Sequence, residues 1–280
     1  MSTRSSAASS DVEALIAFCV AHPVDGTDAP RFLKHLSSGA AAAVDRRDLG
    51  IVCVILDRAP SASGAVPLEM AGCAISGLDE AVLRAVLEEA FATARRLKIP
   101  GLDFVIGSLW APHRALLEKL GFALTCRDLD MHCDLPDWGE DLAVPDGLSW
   151  SDLGAEWIDE YLRLQQSAFA ALPGVYMADL SEQRRVLTEA KTTVRKLSDG
   201  KRIVAALRYL KDGAFLHSIV RDPAVKGQGF GRLVLDEARR RLPDRPLTLN
   251  VVSSNQGAIN LYRRHGFEIV RESDVLTKRL

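Results

Sequence analysis

The chain has 280 residues, 48% hydrophobic and 26% charged, with a formal net charge of −2. That is the make-up of a globular protein of one or two domains, with no global basic field to hold nucleic acid. No apolar run reaches the length of a membrane span, and the short run from Ala14 to Ala21 follows Asp11 and Glu13, unlike a secretory leader. A cytoplasmic protein with neither nucleic acid nor membrane as a partner is expected.

From the amino end, the first ten residues, rich in Ser and Ala, read as a tail. The helical period predicts helices over Glu80 to Leu97 and Pro112 to Leu120, with a strand over Leu102 to Ile106 between them. A period-two strand from Leu124 to Leu135 spreads Cys126, His132 and Cys133 over both of its faces, which disfavours a metal site. The five cysteines, at 19, 53, 73, 126 and 133, are odd in number, scattered and without CxxC spacing, so they read as reduced core residues.

A turn-rich, acidic stretch over 137–147 is the best linker candidate and divides the chain into domains 1–136 and 148–280. Beyond it, Asp152 to Ala170 has an apolar stripe at helical spacing, and Leu180 to Ala190 follows with Ser181 near its start. Strands are expected over Thr193 to Leu197, Ile203 to Leu210 and Ala214 to Arg221, joined by the hairpin turns Ser-Asp-Gly and Lys-Asp-Gly. A helix from Phe230 to Leu242 stops at Pro243, and its run Arg239-Arg240-Arg241 reads as the solvated C-terminal end of that helix. The strand Leu247 to Val252, a helix from Asn255 to Arg264 closed by Gly266, and two short strands, Phe267 to Arg271 and Val275 to Lys278, complete the domain. The predicted fold class is α/β, a mixed α+β sheet with helices on its faces.

The chemistry concentrates in Lys226-Gly227-Gln228-Gly229-Phe230-Gly231-Arg232, between the last hairpin strand and a helix. Glycines on alternate positions, with no acid among them, expose backbone N–H groups at the positive end of a helix dipole, a cradle for phosphate. It has neither a P-loop ending nor dinucleotide-turn spacing. The first half repeats the pattern. Aligning Leu120-Gly121-Phe122 with His265-Gly266-Phe267 superposes the helices and strands above, but Ala74 to Glu80 carries two acids where the cradle should be.

Residues 203 to 270 resemble the GCN5-related N-acetyltransferase (GNAT) family. The resemblance rests on Ile219-Val220-Arg221-Asp222-Pro223 before the glycine loop, then Asn255, Tyr262 and the pair Gly266-Phe267, in order and at the family's spacing. Asn255 and Tyr262 lie seven residues apart, close to two helical turns, so both can line one elongated ligand. The resemblance implies two tandem acyl-CoA N-acyltransferase domains, the first degenerate, with Trp110 where Asn255 stands and Leu117 where Tyr262 stands.

It also implies acetyl-CoA as co-substrate, no metal, and transfer of the acetyl group to a primary amine of a small molecule by direct attack on the thioester. Gly227, Gln228, Gly229, Phe230, Gly231 and Arg232 would hold the pyrophosphate. The backbone of Ile219, Val220 and Arg221 would pair with the pantetheine, and Asn255 would contact that arm. A phenol is protonated at neutral pH, so Tyr262 is the candidate acid for the departing thiolate. His217, which simple alternation puts on the face of Ile219 and Arg221, matches a strand histidine that relays the amine's proton in the arylalkylamine branch of the family. Some relatives carry a glutamate where this chain has Asn250, and an amide cannot accept that proton. Selectivity is expected from the loop Leu172 to Met177, where Tyr176 and Met177 either wall an acceptor pocket or pack against the first half. A protein amine as acceptor, a non-catalytic acyl-CoA sensor, and a monomer or homodimer all stay open.

Overall fold

The structure, a computed structural model, describes residues 9–24, 41–56, 61–75, 79–106, 111–134, 142–178, 180–188, 192–210, 215–242 and 245–280. Residues 1–8 of the expected ten-residue tail, and Trp110, Pro243 and the Lys-Asp-Gly turn, lie outside them, while Ser9 and Ser10 are not tail but the start of a helix. Among the described residues, no helix is long and apolar enough to cross a membrane.

The chain forms two compact units, residues 1–125 with 274–280, and residues 126–273. The first contains α1 (Ser9–Ala21), β1 (Ala41–Arg46), β2 (Ile51–Leu56), β3 (Val66–Cys73), α2 (Glu80–Arg96), β4 (Gly101–Ile106) and α3 (Arg114–Lys119). β1, β2 and β3 pair antiparallel, and β3 pairs parallel with β4 over Val66 to Leu68. Asp79 starts α2 by accepting from the Val82 N–H at 2.7 Å, and Leu83, Val86, Leu87 and Ala90 bury the apolar stripe of α2 on the sheet. The sheet ends with Asp274 to Arg279, antiparallel to β4.

The second unit begins within β5 (Ala123–Cys133) and continues through β6 (Ser149–Asp152), α4 (Ile158–Phe169), α5 (Leu180–Thr188), β7 (Thr192–Ser198), β8 (Ile203–Leu210), β9 (Phe215–Arg221), α6 (Phe230–Arg241), β10 (Leu247–Val252) and α7 (Gln256–Arg264) to β11 (Glu268–Arg279). Its strands run in the order β6-β7-β8-β9-β10-β5. Only β9 and β10 are parallel among these neighbours. Alternate residues of β8 enter two cores. Ala205, Leu207 and Tyr209 pack with α6 and α7, whereas Ala206 packs with Tyr161 and Leu162 of α4.

The repeat survives in detail. Gly121 and Gly266 both have positive φ, 88° and 77°. The Phe122 N–H bonds the Leu117 carbonyl at 3.0 Å, as the Phe267 N–H bonds that of Tyr262 at 3.1 Å. Three expectations change. The helix expected from Asp152 begins at Ile158, because Ser149 to Asp152 pair with Arg195 to Ser198 as an edge strand. The two short final strands are one, β11. The packing units also depart from a cut at 137–147: residues 126–133 join the second and 274–280 the first.

Candidate active site

β9 and β10 are paired only at Phe215 with Thr248 and Leu216 with Leu249, the start of both strands. Ile219, Val220 and Arg221 continue against β8, opposite Leu207, Ala206 and Ala205, so their other edge faces a widening gap. His217 stands just past the last paired residues. The β8 register shifts there, Arg208 opposing Ser218 and Tyr209 opposing Leu216, so His217 is bulged out of the ladder. The simple alternation expected for His217, Ile219 and Arg221 therefore breaks: Leu216 and Ile219, three apart, both meet the α6–α7 core. His217 is exposed and its ring sits edge-on to Phe215, centroids 5.0 Å apart.

After β9, Asp222 accepts from the Ala224 N–H at 2.9 Å and anchors a short turn over Pro223–Val225. Gly227 and Gly229 follow with φ of 82° and 83°, in the left-handed region that other residues enter at a cost. A Cβ added at either would meet nothing within 4 Å. The concave side of the turn is thus open backbone. Gly229 is the N-cap of α6, whose first turn has no acidic residue, and the Phe230 and Gly231 N–H groups have no partner within the helix. An anion is favoured here by both the free donors and the dipole. Arg195, buried on β7, holds α6 in place through Glu237 at 2.8 Å and reaches Asp152 at 2.9 Å. Burial weakens the Arg195 charge, but these two carboxylates outweigh it and raise its pKa.

Gly231 joins the loop to the next helix. A Cβ there would lie 2.7 Å from Leu261 Cδ2, so its absence lets the start of α6 close on α7, beside Tyr262. Tyr262 is 7% exposed and packs against Phe267 at 5.7 Å between ring centroids. Among the described residues its hydroxyl has no hydrogen-bond partner, unlike a core tyrosine with a satisfied hydroxyl. Burial pushes its phenol well above the ordinary range. Asn255 caps α7, Oδ1 accepting from the Ala258 N–H at 3.3 Å, an orientation that leaves Nδ2 able to donate. Cradle, open strand edge, Asn255 and Tyr262 thus belong to one connected region, with His217 where β9 and β10 part. The open glycines and free helix donors fit a pyrophosphate.

Sequence reasoning missed two features. Tyr161 on α4, fully buried, shares a 2.8 Å hydrogen bond with Ser218 of β9. And β5 lies antiparallel to β10, placing Asp130 opposite Asn250 and Asp128 opposite Val252. The Asn250 amide donates to Asp130 at 3.0 Å. The apolar strand pattern of β5 was visible; its partner, 120 positions away, had no local signal. The loop expected to meet the acceptor reaches this strand, the Cys126 Sγ lying 3.5 Å from the Pro173 carbonyl. Among the described residues, no group of three or more His, Cys, Asp or Glu is placed to hold a metal.

Residues 153–267 match the acetyltransferase (GNAT) family. Over 66 residues the chain is 33% identical to the peptidyl-lysine N-acetyltransferases YjaB of Salmonella typhimurium and Escherichia coli, a match covering 24% of this chain and 44% of each relative. The chain thus spans less than half the length of these curated relatives. A GCN5-related N-acetyltransferase from Sphaerobacter thermophilus shares the fold with a TM-score of 0.58, at 16% identity over 82% of this chain and 81% of that one. So does a tandem GNAT protein of the clavulanic acid pathway, with a TM-score of 0.56 at 14% identity over 82% and 78%. With its mixed sheet and its glycine-led helix, the chain is similar over residues 153–267 to the GNAT family of acetyltransferases.

Proposed function

We propose that the second half, from residue 148, transfers an acetyl group from acetyl-CoA to a primary amine of a small molecule. The observation that carries this reading is the joining of an unacidic, open glycine cradle to a strand edge that has no paired strand on one side among the described residues. Acetyl-CoA supplies the acetyl group as an activated thioester. Gly227 to Arg232 would hold its pyrophosphate, on the N–H groups of Gly227, Gly229, Phe230 and Gly231, since those of Gln228 and Arg232 already bond the Val225 and Gly229 carbonyls; the edge of Ile219 to Arg221 would hold its pantetheine, and the Asn255 amide the same arm. Tyr262, protonated at neutral pH as any phenol is and held so more firmly by burial, keeps a proton on its hydroxyl for the leaving sulfur. His217, at the parting of β9 and β10, would relay a proton from the acceptor. The half before the 137–147 linker, with Leu117 at the position of Tyr262, is read as a non-catalytic copy. The site reading needs no metal, and a cytoplasmic location agrees with the composition.

A protein lysine is the second reading. The names of the YjaB relatives favour it. The test is thiol release from acetyl-CoA with a panel of small amines and lysine-bearing peptides, wild type beside Tyr262→Phe. Release with one acceptor class, reduced in the variant by roughly 10²-fold, is expected. Tight acetyl-CoA binding with no release on any amine would replace this reading with a sensor.

A further inference from the structure

The region so far described has a proton donor for sulfur and a bulged histidine, but the position where some relatives carry a glutamate holds Asn250. A carboxylate reaches the same place from the neighbouring strand. In the β5–β10 register Asp130 lies directly across from Asn250, and Asp128 one pair further along, across from Val252. Directly opposed residues share a face of the sheet. Thr248, Asn250 and Val252 therefore share a face with Asp128 and Asp130, opposite to the face on which Leu247, Leu249 and Val251 pack against the α6–α7 core. Cys126, two residues before Asp128 on the same face, is where the Leu172 to Met177 loop touches β5.

The two aspartates differ in their partners. Asp130 accepts from Asn250 at 3.0 Å and from Arg271 Nε at 2.5 Å. Arg271 is on β11. Asp128 is half-buried. The groups that face it are Asp130 on its own strand, Asn250 on β10 and Arg271 on β11, while the loop at Cys126 brings no charge. Burial is the main influence on its carboxyl and raises its pKa; Asn250 and Arg271 lower it in part, and Asp130 raises it further. A carboxylate that holds a proton more readily than usual is a better base.

We infer that Asp128, on a strand that the first half of the sequence lends to the second unit, accepts the proton that the acceptor amine loses. This rests on the transferase reading above and puts Asp128 in the place given there to His217 as the group that takes the acceptor's proton. As the amine nitrogen bonds the acetyl carbon, its N–H breaks and the proton goes to an Asp128 oxygen. The carbon–sulfur bond breaks, and the sulfur takes the Tyr262 hydroxyl proton. Asp128 then yields its proton to solvent and Tyr262 regains one, so neither residue is consumed. Asp130 is a positioning residue, held by Arg271 and fixing the Asn250 amide beside Asp128.

The test is steady-state thiol release across a pH series for wild type, Asp128→Asn and Asp128→Glu, with acetyl-CoA binding by calorimetry on each. Asp128→Asn is expected to lower kcat by about 10²-fold, to leave acetyl-CoA affinity unchanged and to lose the acid limb of the kcat/KM profile. Asp128→Glu, which keeps a carboxylate, is expected to retain that limb. Wild-type kcat and profile in Asp128→Asn would overturn the inference and leave the transferase reading standing. If Asp128→Asn does not fold, loss of the limb in a folded Asp128→Glu overturns it equally. A wild type that binds acetyl-CoA and acetylates nothing overturns both.

Discussion

Replacing Gly229 separates the two things its position supplies. With φ at 83° and nothing within 4 Å of an added Cβ, Gly229→Ala meets no clash, only left-handed backbone. That strain is roughly 1–2 kcal/mol. For a domain of this size each kcal/mol moves Tm by about 2–4 °C, so a fall of about 2–8 °C is expected in thermal denaturation. Gly229→Glu carries the same backbone strain, hence a similar fall in Tm. It also brings a negative charge to the cradle. Two like charges about 5 Å apart at an effective dielectric of about 20 repel by about 3 kcal/mol, or roughly two orders of magnitude in Kd. Calorimetric titration of acetyl-CoA should therefore find Gly229→Ala weakened modestly and Gly229→Glu weakened at least a hundredfold more, on the order of that estimate. Equal affinities in the two variants would refute a pyrophosphate beside Gly229, and an unchanged Tm in both would refute the strained conformation.

Asn255→Ala removes the cap of α7, at a cost of about 1 kcal/mol, and should lower both Tm and acetyl-CoA affinity. Asn255→Asp keeps the capping oxygen, so Tm should hold while affinity falls; a Tm loss equal to that of alanine would count against the cap. Arg195→Met leaves Glu237 with Arg241 at 2.9 Å, so a cost of about 3 kcal/mol is expected, at the low end for a broken buried pair. Adding Glu237→Met should recover part of that loss in urea denaturation, and a double variant weaker than the single would contradict the pairing. Burial raises the phenols of both Tyr161 and Tyr262. A group that binds its proton more tightly when folded stabilises fully below its unfolded value, about 10 for a phenol, and loses that contribution as pH rises through the folded one. Phenolate absorbance should show late-titrating tyrosines, one of them missing in Tyr262→Phe; a Tyr262 that titrates in the ordinary phenol range would refute its burial.

The second half was legible where its signals are local. The glycine loop declares itself through residues only glycine suits, β8 and β10 through short apolar runs between turns, and Gly266 through its helix-ending position. The Ser-Asp-Gly turn is as written, Asp199 accepting from the Lys201 and Arg202 N–H groups at 2.8 Å each. Illegible features depend on pairings far along the chain. The bulge at His217 comes from the register with β8, which no alternation within β9 announces. Ser149 to Asp152 become a strand only because β7 offers an edge. Asp128 and Asp130 look like surface charges until β10 is laid beside them.

The lent strands also bear on how the chain reaches its native state. Asn250 waits for Asp130 across 120 positions, and Thr277 for Asp103 across 174. Loop closure must be met before such contacts return anything, which slows folding and ties late steps together. A chain severed in the linker would leave one fragment without the strand that flanks β10 and the other without the strand that flanks β4. Gene fission at that point should therefore produce fragments that fold on mixing, in a stoichiometric complex, and poorly apart. What reads in sequence as two successive genes' worth of protein behaves, on this topology, as one inheritance that cannot be divided.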